Sequence, residues 1–255
     1  MELLSSLYTE VLWRPLFNGL VLFYWIVPGH DAGLAVIGLS AALRLALAPL
    51  LWKAHKSQKA LAALQPEVKK IQDRFKGDRE SQGKALMELY AHRGVSPFSG
   101  FGALMLQLPI LIALFQVFQQ GFDAAGLTYL YSFVPNPGAI DPVSFGLVDL
   151  SRGGLHGLFL GAAAALTQFY QSSISTPASS PAGGGSDFSR ALAWQTKYIF
   201  PLFVFGWSYT LPAALTLYWT VLNIFGIVQE LAAQRFSSVS APPSAADKIT
   251  PAKSP

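Results

Sequence analysis

The chain has 255 residues, of which 52% are hydrophobic and 13% charged, with a net charge of +4 and no cysteine. An ordinary soluble domain is about 25% charged, so this composition points to a chain that turns much of its surface toward lipid. Without cysteine there are no disulfides, thiol nucleophiles or cysteine-ligated metals, and the length suits one bundle with a small appendage.

Residues 1–33 are predicted to lie outside the membrane or along its outer interface. Within them, residues 11–27 (VLWRPLFNGLVLFYWIV) are apolar but interrupted by Arg14, Pro15 and Asn18. This pattern fits an interfacial helix with Trp13, Phe17, Tyr24 and Trp25 at headgroup level; a sixth span is the alternative. A signal peptide is excluded, because Glu2 and Glu10 stand where a basic start belongs.

Residues 34–52 (LAVIGLSAALRLALAPLLW) form a 19-residue apolar run whose only charge is Arg44. Such a run crosses a hydrocarbon core of about 30 Å as a helix. At about 1.5 Å per residue, Arg44 lies some 13 Å from Lys53, close to mid-membrane. Its insertion costs at least about 2.5–3.5 kcal/mol, so the charge needs water, an anionic partner, or both. Arg44 is the first candidate for function. Ser40, four residues earlier, shares its helix face; the bland reading is a hydroxyl bonded to its own backbone.

Residues 53–97 carry ten of the 18 basic residues. Leu61, Leu64, Val68, Ile71 and Phe75 fall on one helical stripe, with Pro66 kinking the helix or restarting it at Glu67. Asp78 is placed to cap a second helix over 79–92, in which Ala85, Leu86, Leu89 and Tyr90 repeat the pattern. The segment 53–96 reads as an antiparallel helical hairpin standing off the cytoplasmic side, either a solvated coiled coil or a docking surface.

Four more spans are predicted at about 98–120, 155–171, 198–210 and 212–229, the last two separated by a tight turn at Leu211-Pro212. The connection 121–154 has one basic residue, Arg152, against Asp123, Asp141 and Asp149. The positive-inside rule therefore places the basic hairpin in the cytoplasm, the amino terminus outside and the carboxyl terminus inside. Residues 176–186 (TPASSPAGGGS) read as a flexible linker, and 236–255 as a disordered cytoplasmic tail. Among polar residues at membrane depth, Gln107 and Gln168 lie well inside their spans, whereas Gln116, Gln120 and Gln171 suit headgroup contact. Asn223 fits groove lining or interhelical bonding. The four histidines fall in separate segments, no carboxylates pair inside a span, and no phosphate-cradling motif occurs, so the reading is of a non-enzyme with no cofactor and no metal.

The run ALRLALAPL, then KSQKALAALQPEVKKIQDRFKGD, then ALMELYAHRGVSPFSGFGALMLQLPILIALFQVF, and finally LPAALTLYWTVLNIFGIVQE resembles the YidC/Oxa-type membrane protein insertases over about residues 12–230. Members often enter the second span through a Gly-Cys-Pro-type sequence, where this chain has Gly100-Phe101-Gly102-Ala103. The likeness is to the compact forms, without a large external domain or extra amino-terminal anchor. It implies an all-α membrane protein: a five-transmembrane-helix core over 34–235, with the cytoplasmic hairpin and an N-terminal interfacial helix. It also implies a hydrophilic groove open to cytoplasm and lipid, holding Arg44, with a small hydroxyl residue at Ser40 and the family's aromatic position at Trp219, beside Tyr218. The implied function is a membrane protein insertase or chaperone that uses no nucleotide, in the bacterial inner membrane. Its partners would be newly made membrane proteins and the bilayer, with the ribosome and Sec translocon as further candidates and no nucleic-acid specificity. Two competitors remain. A small anion channel or transporter using Arg44 lacks the internal repeats usual in transporters, and a scaffold recruiting partners through the hairpin leaves Arg44 unexplained.

Overall fold

The computed structural model describes residues 2–96, 99–120, 122, 124–175 and 194–239. The expected linker at 176–186 and the tail from residue 240 lie outside the described residues. The described structure is helical apart from one hairpin of two-residue strands.

Helix α1 (Glu2–Tyr8) passes through a π-helical turn into α2 (Arg14–Ile26), and Asp31 caps α3 (Ala32–Ala63) by accepting the Leu34 N–H at 2.9 Å. Helix α3 continues past the apolar run without a break, so the first arm of the expected hairpin is partly an extension of the first span. The break falls at Leu64, ahead of Pro66, and α4 (Gln65–Arg74) holds that proline in its first turn, where the missing N–H costs nothing. Helix α5 (Arg79–His92) starts at the expected cap, with Asp78 accepting both the backbone N–H of Ser81 (3.1 Å) and its hydroxyl (2.6 Å). Leu64 and Val68 are buried, and Arg93 pairs with Glu67 at 2.7 Å.

Helices α6 (Ser99–Gln120) and α7 (Gly154–Ser175) follow, then α8 (Phe200–Trp207), the turn around Leu211-Pro212, and α9 (Ala213–Val239). Helix α9 runs ten residues beyond the expected end of the last span, and residues 236–239, assigned to the tail by composition, finish it. Among the described residues two helices are long and apolar enough to cross a membrane, Ala32–Ala63 and Ala213–Arg235. Large apolar side chains stand exposed on α3 (Leu45, Trp52), α6 (Ile112), α7 (Phe159, Leu166), α8 (Leu202, Phe203) and α9 (Ile224, Val228), as expected of helices that face lipid.

The core lies where α2, α3, α6 and the start of α9 meet the connection between α6 and α7, around Phe17, Val21, Val36, Leu114, Phe118 and Leu215. This corrects the headgroup expectation for α2: Trp13, Phe17 and Tyr24 are buried in protein and only Trp25 is exposed. The residues that interrupt its apolar run explain the difference, because they fasten the connection. Asn18 donates to the carbonyls of Tyr129 (3.1 Å) and Arg14 (2.8 Å) and accepts the Tyr131 N–H (2.7 Å), while Arg14 donates to the Tyr129 carbonyl at 3.0 Å and covers the Tyr131 ring. Asn18→Ala leaves the half-buried Tyr131 N–H without its partner, at a cost of about 1 kcal/mol. A fall in the thermal unfolding midpoint in detergent is the expected reading.

Candidate functional site

A cavity of about 770 Å³ lies between α3, the end of α7 and the second half of α9. Arg44, His55 and Lys59 reach it from α3, Gln171 and Ser175 from α7, and Gln229, Glu230 and Gln234 from α9. Arg44 to Lys59 is about 22 Å along a helix, so the cavity runs from the mid-depth of the apolar run to the basic end of the molecule. Lys59, with a 41% exposed side chain, stands toward solvent there.

The charges divide unequally. Glu230 is 4% exposed, and its carboxylate meets Lys59 Nζ at 3.0 Å and His55 Nε2 at 3.1 Å. Arg44 forms no ion pair among the described residues, and the phenol of Tyr218 lies near enough to interact with it electrostatically. With His55 neutral, Arg44 and Lys59 against Glu230 leave the lining at 2 − 1 = +1, and the surplus belongs to the deeper arginine. Gly226 makes room for this wall: a Cβ there would fall 2.0 Å from Gln171 Nε2.

Of the seven residues singled out from the sequence, Arg44 alone lines the cavity. Ser40 is buried and its hydroxyl donates to the Val36 carbonyl at 2.5 Å, the backbone bonding that a serine without a closer partner adopts. Gln107 donates to the Tyr218 hydroxyl at 2.7 Å, which ties α6 to α9. Asn223 bonds the Ala164 carbonyl (3.1 Å) and Thr167 Oγ1 (3.2 Å), tying α9 to α7. Gln168 is half-buried away from the cavity. Trp219 is half-buried with its ring against Phe200, centroids 5.8 Å apart.

His55, Lys59 and Glu230 were not among those candidates. Glu230 follows the apolar core of its helix by one residue, and its pairing with α3 has no periodic signature. Gln171 was legible as a polar residue but assigned to headgroups. Its position one helical turn beyond Gln168 was the available signal.

These features describe an all-helical membrane protein with a polar cavity that penetrates its apolar bundle from the basic end. The family described as 60Kd inner membrane protein matches residues 22–240, and the chain belongs to that family. It is similar to the membrane protein insertase YidC 2 of Bacillus anthracis, 30% identical over 229 residues that cover 88% of this chain and 80% of the relative. It is 31% identical to YidC 2 of Listeria innocua over 207 residues, 80% of this chain and 64% of that protein. The YidC of Fusobacterium nucleatum is 29% identical over 200 residues, 78% and 83% of the two chains. The chain thus spans just under two thirds of the Listeria relative's length.

Proposed function

We propose that this chain inserts membrane proteins, taking the hydrophilic end of a client segment into the cavity beneath Arg44 while the apolar part passes into lipid. The observation that carries this reading is Arg44 itself: a guanidinium deep in an apolar run, without an ion pair among the described residues, opening on a polar cavity. Water in that cavity lowers the cost of the charge, and the charge gives an acidic client tail a reason to enter. Burial of the client's apolar side chains, about 25 cal/mol per Å², drives the step without a nucleotide. In this reading α3, α6, α7, α8 with its preceding turn, and α9 are the five spans, and the hairpin of α4 and α5 stands in the cytoplasm as a capture surface. The chain acts as a chaperone and not as an enzyme, and uses no cofactor.

Purified protein in phosphatidylglycerol-containing vesicles should insert a single-span client with an acidic translocated tail without ATP. Flux of a small anion without client insertion would favour a channel and overturn the proposal. Topology is a separate check, since the chain has no native cysteine. Cysteine at exposed Ser132 should react with an impermeant external thiol reagent, and cysteine at exposed Met87 should be protected. The reverse labelling would invert the molecule and remove the cytoplasmic opening.

A further inference from the structure

The external connection carries a small hairpin whose strands, Val143–Ser144 and Val148–Asp149, pair antiparallel with Val143 opposite Asp149. Its tip presents Phe145, 67% exposed, and Leu147, 77% exposed. The turn is closed by the Leu147 N–H on the Ser144 carbonyl (3.0 Å), and Phe145 (φ +49°) and Gly146 (φ +68°) both adopt left-handed backbone. Glycine, asparagine or aspartate occupies such turn positions at little cost, whereas a bulky residue there is strained. The tip thus holds an aromatic ring that is unfavourable both for its backbone and for its contact with water, a combination that folding alone does not explain.

The hairpin is fixed to the first residue before α3. Asp31, while capping that helix, accepts the Ser144 hydroxyl at 2.9 Å and the Phe145 N–H at 2.6 Å. The fit is close: a Cβ at Gly33 would come 2.1 Å from Ser144 Oγ. Asp31 and Lys53 bracket the apolar part of α3 and stand 22 positions apart, 53 − 31 = 22, or about 33 Å of helix. That matches a hydrocarbon core of about 30 Å, so a hairpin anchored on Asp31 stands at the outer boundary. Trp25 and Ile26, the last two residues of α2 before the turn that leads to Asp31, are exposed as well.

We infer that the tip Phe145–Gly146–Leu147 inserts into the outer leaflet at headgroup and upper acyl depth, holding the external connection against lipid beside Trp25. Aromatic and aliphatic residues on a polar, hydrogen-bonded base are what an interfacial anchor requires. The inference rests on α3 crossing the bilayer, as in the proposed function, and is independent of client insertion.

The test attaches an environment-sensitive fluorophore to Leu147→Cys in the full chain, reconstituted in phosphatidylcholine–phosphatidylglycerol vesicles. Emission should shift to the blue and lose most of its intensity when the lipids carry a spin label near the headgroup end of the acyl chain. Phe145→Asn in the same reporter should relieve the turn, leaving thermal stability in detergent unchanged or raised, yet reduce the quenching severalfold. Water-like emission in vesicles would overturn the inference. So would blue-shifted emission that spin-labelled lipid fails to quench, because the tip would then be covered by protein. Either result with normal client insertion in the same vesicles would leave the insertase reading standing.

Discussion

Arg44→Ala should lower insertion of clients with acidic translocated tails by tenfold or more, whereas Arg44→Lys retains most of the activity. The reason is the charge balance of the cavity. Glu230 is already paired with Lys59, so among the described cavity residues Arg44 is the cation left to meet an incoming carboxylate. A pair of unit charges at 4 Å is worth about 4 kcal/mol at an effective dielectric near 20, and a tenfold loss needs only about 1.4 kcal/mol of it. Lysine preserves the charge and loses only the guanidinium's fork geometry, which a hydrated, variable client does not exploit. Insertion rates in vesicles across clients with neutral, singly and doubly acidic tails provide the measurement. Equal rates for the alanine variant on every client would end this account of Arg44.

The second large effect is structural. Glu230→Ala removes the buried anion that joins α9 to the basic end of α3 and leaves His55 and Lys59, one turn apart on α3, without their carboxylate. Breaking a fully buried pair costs about 3–5 kcal/mol; Lys59 is partly solvated, so the discounted cost is about 2 kcal/mol, an unfolding midpoint lower by about 4–8 °C for a chain of this size. Lys59→Ala alone should cost less than half as much, since His55 still faces the carboxylate. The double variant should be more stable than the sum of the single losses, because removing both charges leaves neither uncompensated. Strict additivity would mean that the pair contributes nothing to holding α3 against α9.

Much of this architecture was legible because it depends on local pattern. The apolar run of α3, the restart at Pro66, the cap at Asp78 and the turn before α9 all follow from which residues stand next to one another. Arg44 was legible for a different reason: a charge inside an apolar run is costly wherever the helix packs, so its anomaly is visible without neighbours. Element ends were less so. The stop placed at residue 229 followed the loss of hydropathy, but α9 continues to Val239 because a helix persists into water when its residues favour it and one face packs.

The sequence by itself determined the helical class, the family resemblance, the cation inside the apolar run of α3 and the charge asymmetry between residues 53–97 and 121–154, since each is a sum or spacing over consecutive residues. Tertiary structure alone decided which polar groups share a cavity. Ser40, Gln107 and Asn223 satisfy their hydrogen bonds within or between helices and leave the cavity, while His55, Lys59, Gln171 and Glu230, from three helices, converge on it. It also buried Trp13, Phe17 and Tyr24, which composition assigns to lipid headgroups, because Arg14 and Asn18 bind the connection between α6 and α7 over them. Both outcomes have one physical cause: a polar or aromatic side chain takes the nearest partner that satisfies it, and which partner is nearest depends on how distant segments pack.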